Sequence, residues 1–209
     1  MKIEIIPSLI AKNQKELNKI YNKIKVASVI QLDIMDEKFV KNKSLWFNLE
    51  LPKHKYEAHL MIQNPRDFIT NNIDFADIFI VQIESCKNQG ELIDLIKFVH
   101  KNKKKFYLGL NPRTPVSKIK NYLGKIDGVL VMTVMPGKYG AKFMPEMLKK
   151  VSEIRQLKPK LDIEVDGSMN PNTIKLARLN GANKFSVGSF VHDSKYAKDA
   201  LKKLKMALQ

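Results

Sequence analysis

The sequence predicts one (β/α)8 barrel (a TIM barrel) that spans residues 1–209, and three observations support this fold class. Short β-branched runs alternate with amphipathic segments along the whole chain. Several of these runs are continuously apolar, as in Val129-Leu130-Val131-Met132, which indicates strands buried on both faces of a parallel sheet. Eight such units in 209 residues favour a closed barrel, because an open doubly wound sheet of this length rarely has eight strands.

The predicted strands share a β-branched or aromatic core and end at polar or turn-forming residues. They are Ile3–Leu9, Val29–Asp36, Tyr56–Ile62, Ile78–Glu84, Lys105–Asn111, Gly128–Val134, Asp162–Gly167 and Lys184–Gly188. Helical periodicity follows seven of the eight strands. The predicted helices are Gln14–Lys25, Arg66–Asn72, Gln89–Lys101, Val116–Leu123, Pro145–Leu157, Asn172–Asn180 and Lys195–Leu208. The segment after the second strand, Phe39–Lys53, has only weak helical periodicity.

Composition and charge narrow the class of protein. The composition is 44% apolar and 28% charged, which is typical of a globular chain, and the formal net charge is +16. Only four of the 37 basic residues are arginines, and the lysines are spread along the helices without a nucleic-acid-binding motif. We therefore expect solvated helix faces and no nucleic-acid partner, and the positive field favours anionic, phosphorylated ligands.

The predicted cellular environment follows from what the chain lacks. It has a single cysteine, Cys86, which excludes an intrachain disulfide. No apolar run reaches the roughly 20 residues that span a bilayer, and the N-terminal strand has no cleavage signal. We expect a cytoplasmic protein with no membrane partner.

Two aspartates at strand ends are the strongest catalytic candidates. In such barrels, the chemistry lies at the carboxyl ends of the strands. Asp33 ends the second strand, and Asp166 ends a strand five places further along. Two carboxylates facing each other across the barrel mouth suit removal of a proton from one face of a carbon and its return to the other face. The alternative is that each aspartate caps the helix or turn that follows it.

His59 and three glycine turns complete the predicted site. His59 lies in the third strand, and a histidine with two carboxylates suits a divalent metal that stabilises an enediolate. A core histidine held by hydrogen bonds is the alternative. The turns Gly137–Gly140, Gly167-Ser168 and Gly188-Ser189 offer backbone N–H groups to a phosphate, and two of them follow strands seven and eight. His54, His100 and His192 are expected to be exposed.

The chain resembles the ribulose-phosphate 3-epimerase family. The resemblance is carried by short motifs in the family's order and spacing. They are Ile6-Pro7-Ser8-Leu9, Leu32-Asp33-Ile34-Met35-Asp36, His59-Leu60-Met61, Met132-Thr133-Val134, Pro136-Gly137, Ile163-Glu164-Val165-Asp166-Gly167 and Gly188-Ser189. The match covers residues 3–190 and extends to the sister enzymes that epimerise allulose 6-phosphate.

The resemblance implies a role for each matching residue. Asp33 and Asp166 would be the acid/base pair and, with His59, metal ligands; Ser8 would contact the sugar. The methionines Met35, Met61 and Met132 would form a sulfur-lined surface under the enediolate. The phosphate would be held by Gly137, Lys138, Tyr139, Gly140, Gly167, Ser168, Gly188 and Ser189. The implied cofactor is a divalent metal, Zn²⁺ or Fe²⁺ before Mn²⁺ or Co²⁺, with no organic cofactor, and the implied assembly is a homo-oligomer.

The chain departs from the family pattern at the barrel mouth. Gln31 stands where the family usually has a metal-binding histidine, and an amide oxygen ligates more weakly than imidazole. Gln82 stands at another position where the family typically has histidine. We expect reversible epimerisation at C3 of a phosphorylated ketopentose, D-ribulose 5-phosphate or D-xylulose 5-phosphate. The alternatives are epimerisation of allulose 6-phosphate and a catalytically impaired barrel that acts as a phosphate-binding or regulatory module.

Overall fold

Eight parallel strands close into a barrel in this computed structural model, which describes residues 1–137 and 140–209. The strands, in chain order, are β1 (Glu4–Leu9), β2 (Ile30–Asp36), β3 (Lys43–Ser44), β4 (Tyr56–Met61), β5 (Ile78–Gln82), β6 (Lys105–Leu110), β7 (Gly128–Met132), β8 (Asp162–Asp166) and β9 (Lys184–Val187). Their spatial order is β1-β9-β8-β7-β6-β5-β4-β2, and pairing of β1 with β2 closes the ring. The predicted fold class is confirmed.

Helices and 3₁₀ turns cover the outside of the barrel. The α-helices are α1 (Gln14–Ile24), α2 (Pro65–Asn71), α3 (Gln89–Lys101), α4 (Leu148–Leu157), α5 (Pro171–Leu179), α6 (Ser189–His192) and α7 (Ala197–Ala207). The 3₁₀ turns are Ile83–Ser85, Val116–Lys118, Lys120–Tyr122 and Pro145–Met147. Side-chain caps begin several helices: Asn13 accepts from the backbone of Glu16, and Asn170 forms a capping box with Thr173. Within the described part of the chain, no helix is long and apolar enough to span a membrane.

Two predicted elements differ from the structure. The predicted helix Val116–Leu123 is a pair of 3₁₀ turns that meet at Ile119, where φ is −110°. Val116, Ile119 and Asn121 are weak helix formers, so the i→i+3 bonds of a 3₁₀ turn compete well there. The weakly helical segment Phe39–Lys53 instead contains β3, which pairs antiparallel with the end of β2.

The apolar core has an outer and an inner part. Outward-facing strand residues such as Val129 and Val131 pack under the helices in one large cluster. Inside the barrel, Ile80, Leu130 and the ring of Tyr107 form a second, smaller cluster. The strands are therefore apolar on both faces where they pass these clusters, which is the origin of their continuous hydrophobic runs.

The remaining interior of the barrel is charged. Lys184 donates to Glu57 at 2.8 Å, and its Nζ lies 3.4 Å from a carboxylate oxygen of Glu164. The same ammonium lies 4.7 Å from the centre of the Tyr107 ring. The Lys184 side chain is 2% exposed and both glutamates are fully buried. We call Glu57, Glu164 and Lys184 the interior charge cluster.

Asp36 organises the loop that leaves the end of β2. Its carboxylate accepts hydrogen bonds from the backbone N–H groups of Lys38 and Phe39, both at 2.9 Å, and of Gln63 at 2.8 Å. Burial alone would raise the pKa of Asp36, but these three donors outweigh it and the pKa is lowered. Asp36 therefore joins the loop after β2 to the loop after β4.

We expect Asp36→Asn to lower the free energy of unfolding by about 1–3 kcal/mol, because the variant replaces charge-assisted hydrogen bonds with weaker ones. A carboxyl whose folded pKa is lowered stabilises the fold above its unfolded pKa and loses this effect as the pH falls through the folded value. The difference between variant and wild type, measured by urea unfolding, should therefore shrink from pH 7 to pH 3. The exposed Asp74→Asn is the matched control. A difference that does not change with pH would contradict this role.

Candidate active site

The register of the strands brings the predicted site residues to one end of the barrel. Asp33 on β2 pairs with His59 on β4. Met132 on β7 pairs with Asp166 on β8, and Ser8 on β1 pairs with Gln31 on β2. These residues point into the barrel because side chains alternate along a strand and each lies an even number of positions from another inward residue.

Asp33, His59 and Asp166 form a tight trio at this end. The Nδ1 of His59 lies 3.2 Å from Oδ1 of Asp33 and 3.3 Å from Oδ2 of Asp166. One ligand atom from each residue lies within 4.8 Å of the other two. Two carboxylate oxygens and an imidazole nitrogen converging in this way fit a divalent cation such as Zn²⁺, Fe²⁺, Mn²⁺ or Co²⁺.

Gln31 lies beside the trio with its amide nitrogen toward it. Its Nε2 lies 2.9 Å from Oδ1 of Asp33 and 3.4 Å from both Nδ1 of His59 and Oδ2 of Asp166. Its Oε1 is buried and has no hydrogen-bond partner among the described residues. Since the two ends of an amide have similar shapes, a half-turn would place this oxygen toward the trio. The predicted ligand position is therefore within reach of Gln31.

The trio shares protons tightly. Burial raises the pKa of Asp33, and the negative charge of Asp166 raises it further, against the hydrogen bond from His59. Burial alone would lower the pKa of His59, but its hydrogen bonds to Asp166 and Asp33 reverse this and raise the pKa to about 9. Two carboxyl groups in different protonation states at one site are the arrangement that acid/base chemistry on opposite faces of a carbon requires.

Glycine turns surround the trio on the side of β8 and β9. Gly167 has φ +123°, and a Cβ there would lie 2.6 Å from the side chain of Val134. Ser168 follows at φ +52°, and its hydroxyl donates to the carbonyl of Ala141. Thr133 donates from one hydroxyl to the carbonyl oxygens of Asp166 at 2.9 Å and Gly167 at 2.8 Å. Thr133 therefore fixes the turn that carries Asp166 and the Gly167-Ser168 pair.

A cavity of about 950 Å³ opens above the trio. The predicted site residues on its wall are Ser8, Asp33, Met35, Met61, Met132, Gly137, Gly140, Asp166, Gly167, Ser168, Gly188 and Ser189. Lys138 and Tyr139 were also predicted to bind the phosphate, and they lie outside the described residues. The structure thus brings the described phosphate-turn residues and the two aspartates to the same cavity.

His192 lies on the cavity wall, so the expectation that it is exposed is wrong. It is partly buried, and its Nε2 lies 2.7 Å from the carbonyl oxygen of Ser8. Lys23 of α1 donates to the backbone carbonyl of His192 and packs beside it. His54 is also partly buried, against Tyr21 and Tyr56, whereas His100 is exposed. No local pattern distinguished His192, because its contacts come from chain segments more than 160 residues away.

Comparisons with known proteins agree on one family. Residues 4–192 match the family model described as the ribulose-phosphate 3 epimerase family. The chain is 32% identical to the ribulose-phosphate 3-epimerase of Schizosaccharomyces pombe, over 97% of this chain and 92% of the relative. It is 33% identical to the enzyme of that name from Bacillus subtilis, over 97% and 98% of the two chains.

Solved structures with the same fold are more distant in sequence. A structure of KGPDC from Streptococcus mutans with bound ribose 5-phosphate superposes with a TM-score of 0.72 at 14% identity, covering 99% of this chain and 97% of the other. A 3-hexulose-6-phosphate synthase superposes with a TM-score of 0.69 at 12% identity, covering 98% and 99%. At such identities the likeness establishes the barrel fold alone.

Proposed function

The chain belongs to the ribulose-phosphate 3-epimerase family, and we propose that it interconverts D-ribulose 5-phosphate and D-xylulose 5-phosphate by inverting C3. Membership makes it a carbohydrate epimerase of the isomerase class. The observation that carries the proposal is the pair of carboxylates at the floor of the cavity. Asp33 on β2 and Asp166 on β8 belong to strands separated in the ring by β1 and β9, and both approach His59.

The two aspartates supply the proton chemistry. One carboxylate removes the C3 proton, whose bonding electrons pass into the C2–C3 bond of an enediolate as the C2 carbonyl takes negative charge. The other, protonated, aspartate returns a proton to the opposite face of C3. The raised pKa of Asp33, caused by burial and by the charge of Asp166, supports a site that holds one proton between two carboxyl groups. The roles exchange when the reaction runs backward.

Asp33, His59 and Asp166 are the residues that would hold a divalent cation, with Gln31 as a fourth neighbour. When bound, such a cation supplies neutralisation of the negative charge on the sugar oxygens at C2 and C3. His59 is fully buried and does not line the described cavity wall, so its role is to hold the two carboxylates in position from below.

Three methionines and Ser8 support the sugar. Met35, Met61 and Met132 line the cavity and are at most 4% exposed. Their thioethers carry no acidic proton, so they exclude water without quenching the enediolate. Ser8 is 4% exposed on the same wall and offers a hydroxyl to the sugar. Gly137, Gly140, Gly167, Ser168, Gly188 and Ser189 surround the region we assign to the phosphate.

We expect purified, metal-stripped protein to lose activity and to regain it with Zn²⁺, Fe²⁺, Mn²⁺ or Co²⁺, because the trio leaves two carboxylates without a compensating dication. The measurement is exchange of the C3 proton of ribulose 5-phosphate in D2O, followed by NMR, with metal-free buffer of equal ionic strength as the control. Absence of exchange with all four cations would instead favour an impaired barrel that only binds phosphate.

A ketohexose 6-phosphate is a second candidate substrate. The cavity of about 950 Å³ has room for one more carbon than a pentulose phosphate contains. The same exchange assay with allulose 6-phosphate separates the two, because the preferred sugar is the one with the higher kcat/KM.

A further inference from the structure

His59 has a second polar neighbour on the side of the ring away from the carboxylates. Gln82 ends β5, is fully buried, and places its Nε2 2.7 Å from Nε2 of His59. The imidazole is therefore held at both nitrogens, by Asp33 and Asp166 at Nδ1 and by Gln82 at Nε2. Gln82 is not among the described residues that line the cavity, so it reaches the site only through His59.

Gly109 of β6 makes room for the Gln82 amide. The two residues are paired in the sheet register. A Cβ at position 109 would lie 2.7 Å from Cδ of Gln82 and 2.8 Å from each of its amide heteroatoms. Gly109 does not have positive φ, so the requirement here is for space and not for backbone freedom. Any larger residue at position 109 must displace the amide, because both side chains lie inside the closed barrel.

The protonation pattern of His59 decides which of its atoms faces the trio with a lone pair. A histidine that binds a cation through one ring nitrogen carries its proton on the other, and that N–H requires an acceptor. Gln82 stands at this position. Its Oε1 is buried without a hydrogen-bond partner among the described residues, and a half-turn of the amide brings it to Nε2 of His59.

We propose that Gln82, seated against Gly109, is a positioning residue that accepts the Nε2–H of His59 and thereby presents the Nδ1 lone pair to a cation between Asp33 and Asp166. This role rests on the proposed function, in which His59 is a cation ligand. Gln82 touches neither the cation nor the sugar. It acts by fixing one tautomer and one ring orientation of His59.

Two variants test this by different routes. Gln82→Met removes the acceptor at similar volume, and Gly109→Ala keeps the amide but displaces it. We expect both to weaken Zn²⁺ binding by the apo-protein about 10- to 100-fold, as loss of such a partner does for other metal-binding histidines. Gln82→Glu keeps an acceptor and should bind Zn²⁺ at least as well as wild type. Gly124→Ala is the control, since its added Cβ would meet nothing closer than 3.7 Å.

The affinity is measured by competition with a chromophoric chelator, and the tautomer by long-range ¹H–¹⁵N spectra of ¹⁵N-histidine-labelled, Zn²⁺-loaded protein. The four histidines make these spectra assignable by comparison with a His59→Gln variant. In wild type we expect a proton on Nε2 and zinc on Nδ1. Zinc on Nε2, or wild-type affinity in both Gln82→Met and Gly109→Ala, would overturn the role of Gln82 alone. A wild-type protein that binds no Zn²⁺ would overturn the cation site itself and, with it, this role.

Discussion

Asp33→Asn and Asp166→Asn are each expected to slow epimerisation by about 100- to 10,000-fold, the range that a lost general acid or base accounts for. Each asparagine keeps the shape of the side chain but can neither take nor give the proton at C3. Both aspartates approach His59 within 3.3 Å, so each variant also changes the cation site, and metal content must be measured beside the rates.

The two variants should differ in a way that a damaged site would not. If the aspartates serve opposite faces of C3, each variant retains one base. It should then exchange deuterium slowly into one epimer without inverting it, and the epimer should be ribulose 5-phosphate for one variant and xylulose 5-phosphate for the other. The exposed Asp94→Asn on α3 serves as the matched control. Loss of exchange from the same epimer in both variants would contradict the assignment of faces.

Lys184→Met is expected to lower the free energy of unfolding by about 3–5 kcal/mol, the usual cost of leaving buried charges without their partner. Lys184 donates to Glu57 at 2.8 Å and lies 3.4 Å from Glu164, and all three side chains are at most 2% exposed. Without the ammonium, the two glutamates face each other in the barrel interior. Urea unfolding at pH 7 provides the measurement.

The pH dependence of this loss has a defined sign. Burial, and then the charge of Glu57, raise the pKa of Glu164, whereas Lys184 lowers it. Removing Lys184 therefore raises this pKa further, and an acid with a raised folded pKa binds its proton more tightly in the folded state. The loss in Lys184→Met should shrink as the pH falls from 7 to 5. The triple variant that adds Glu57→Gln and Glu164→Gln should recover most of the loss at pH 7, and a deficit equal to that of Lys184→Met would contradict an electrostatic cause.

The strands of the barrel were predictable because their signal is local. Runs such as Val129–Met132 are apolar on both faces, and each of the eight predicted strands overlaps a barrel strand within one or two residues at each end. The helix predicted at Val116–Leu123 was wrong because weak helix formers leave the choice between α and 3₁₀ turns to packing. β3 was missed because a two-residue strand has no periodicity.

The site was predictable only as far as the fold rule reaches. The rule that chemistry lies at strand ends selected Asp33, His59 and Asp166, and barrel closure then placed their side-chain atoms within 4.8 Å of each other. The seat of Gln82 on Gly109 could not be predicted, since it depends on the register of β5 with β6. The same holds for His192, whose contacts are with Ser8 and Lys23.

The turn held by Thr133 has a consequence for substrate length. One hydroxyl binds the carbonyls of both Asp166 and Gly167, so the proposed acid/base group and the Gly167-Ser168 pair move as one rigid unit. On the assignment proposed above, the distance between the reacting carbon and the phosphate is then a covalent spacer only two residues long. A pentulose 5-phosphate has two bonds from C3 to the phosphate-bearing carbon and a hexulose 6-phosphate has three. Selection between the two sugars is therefore set by the stiffness of a single turn, independently of the width of the cavity.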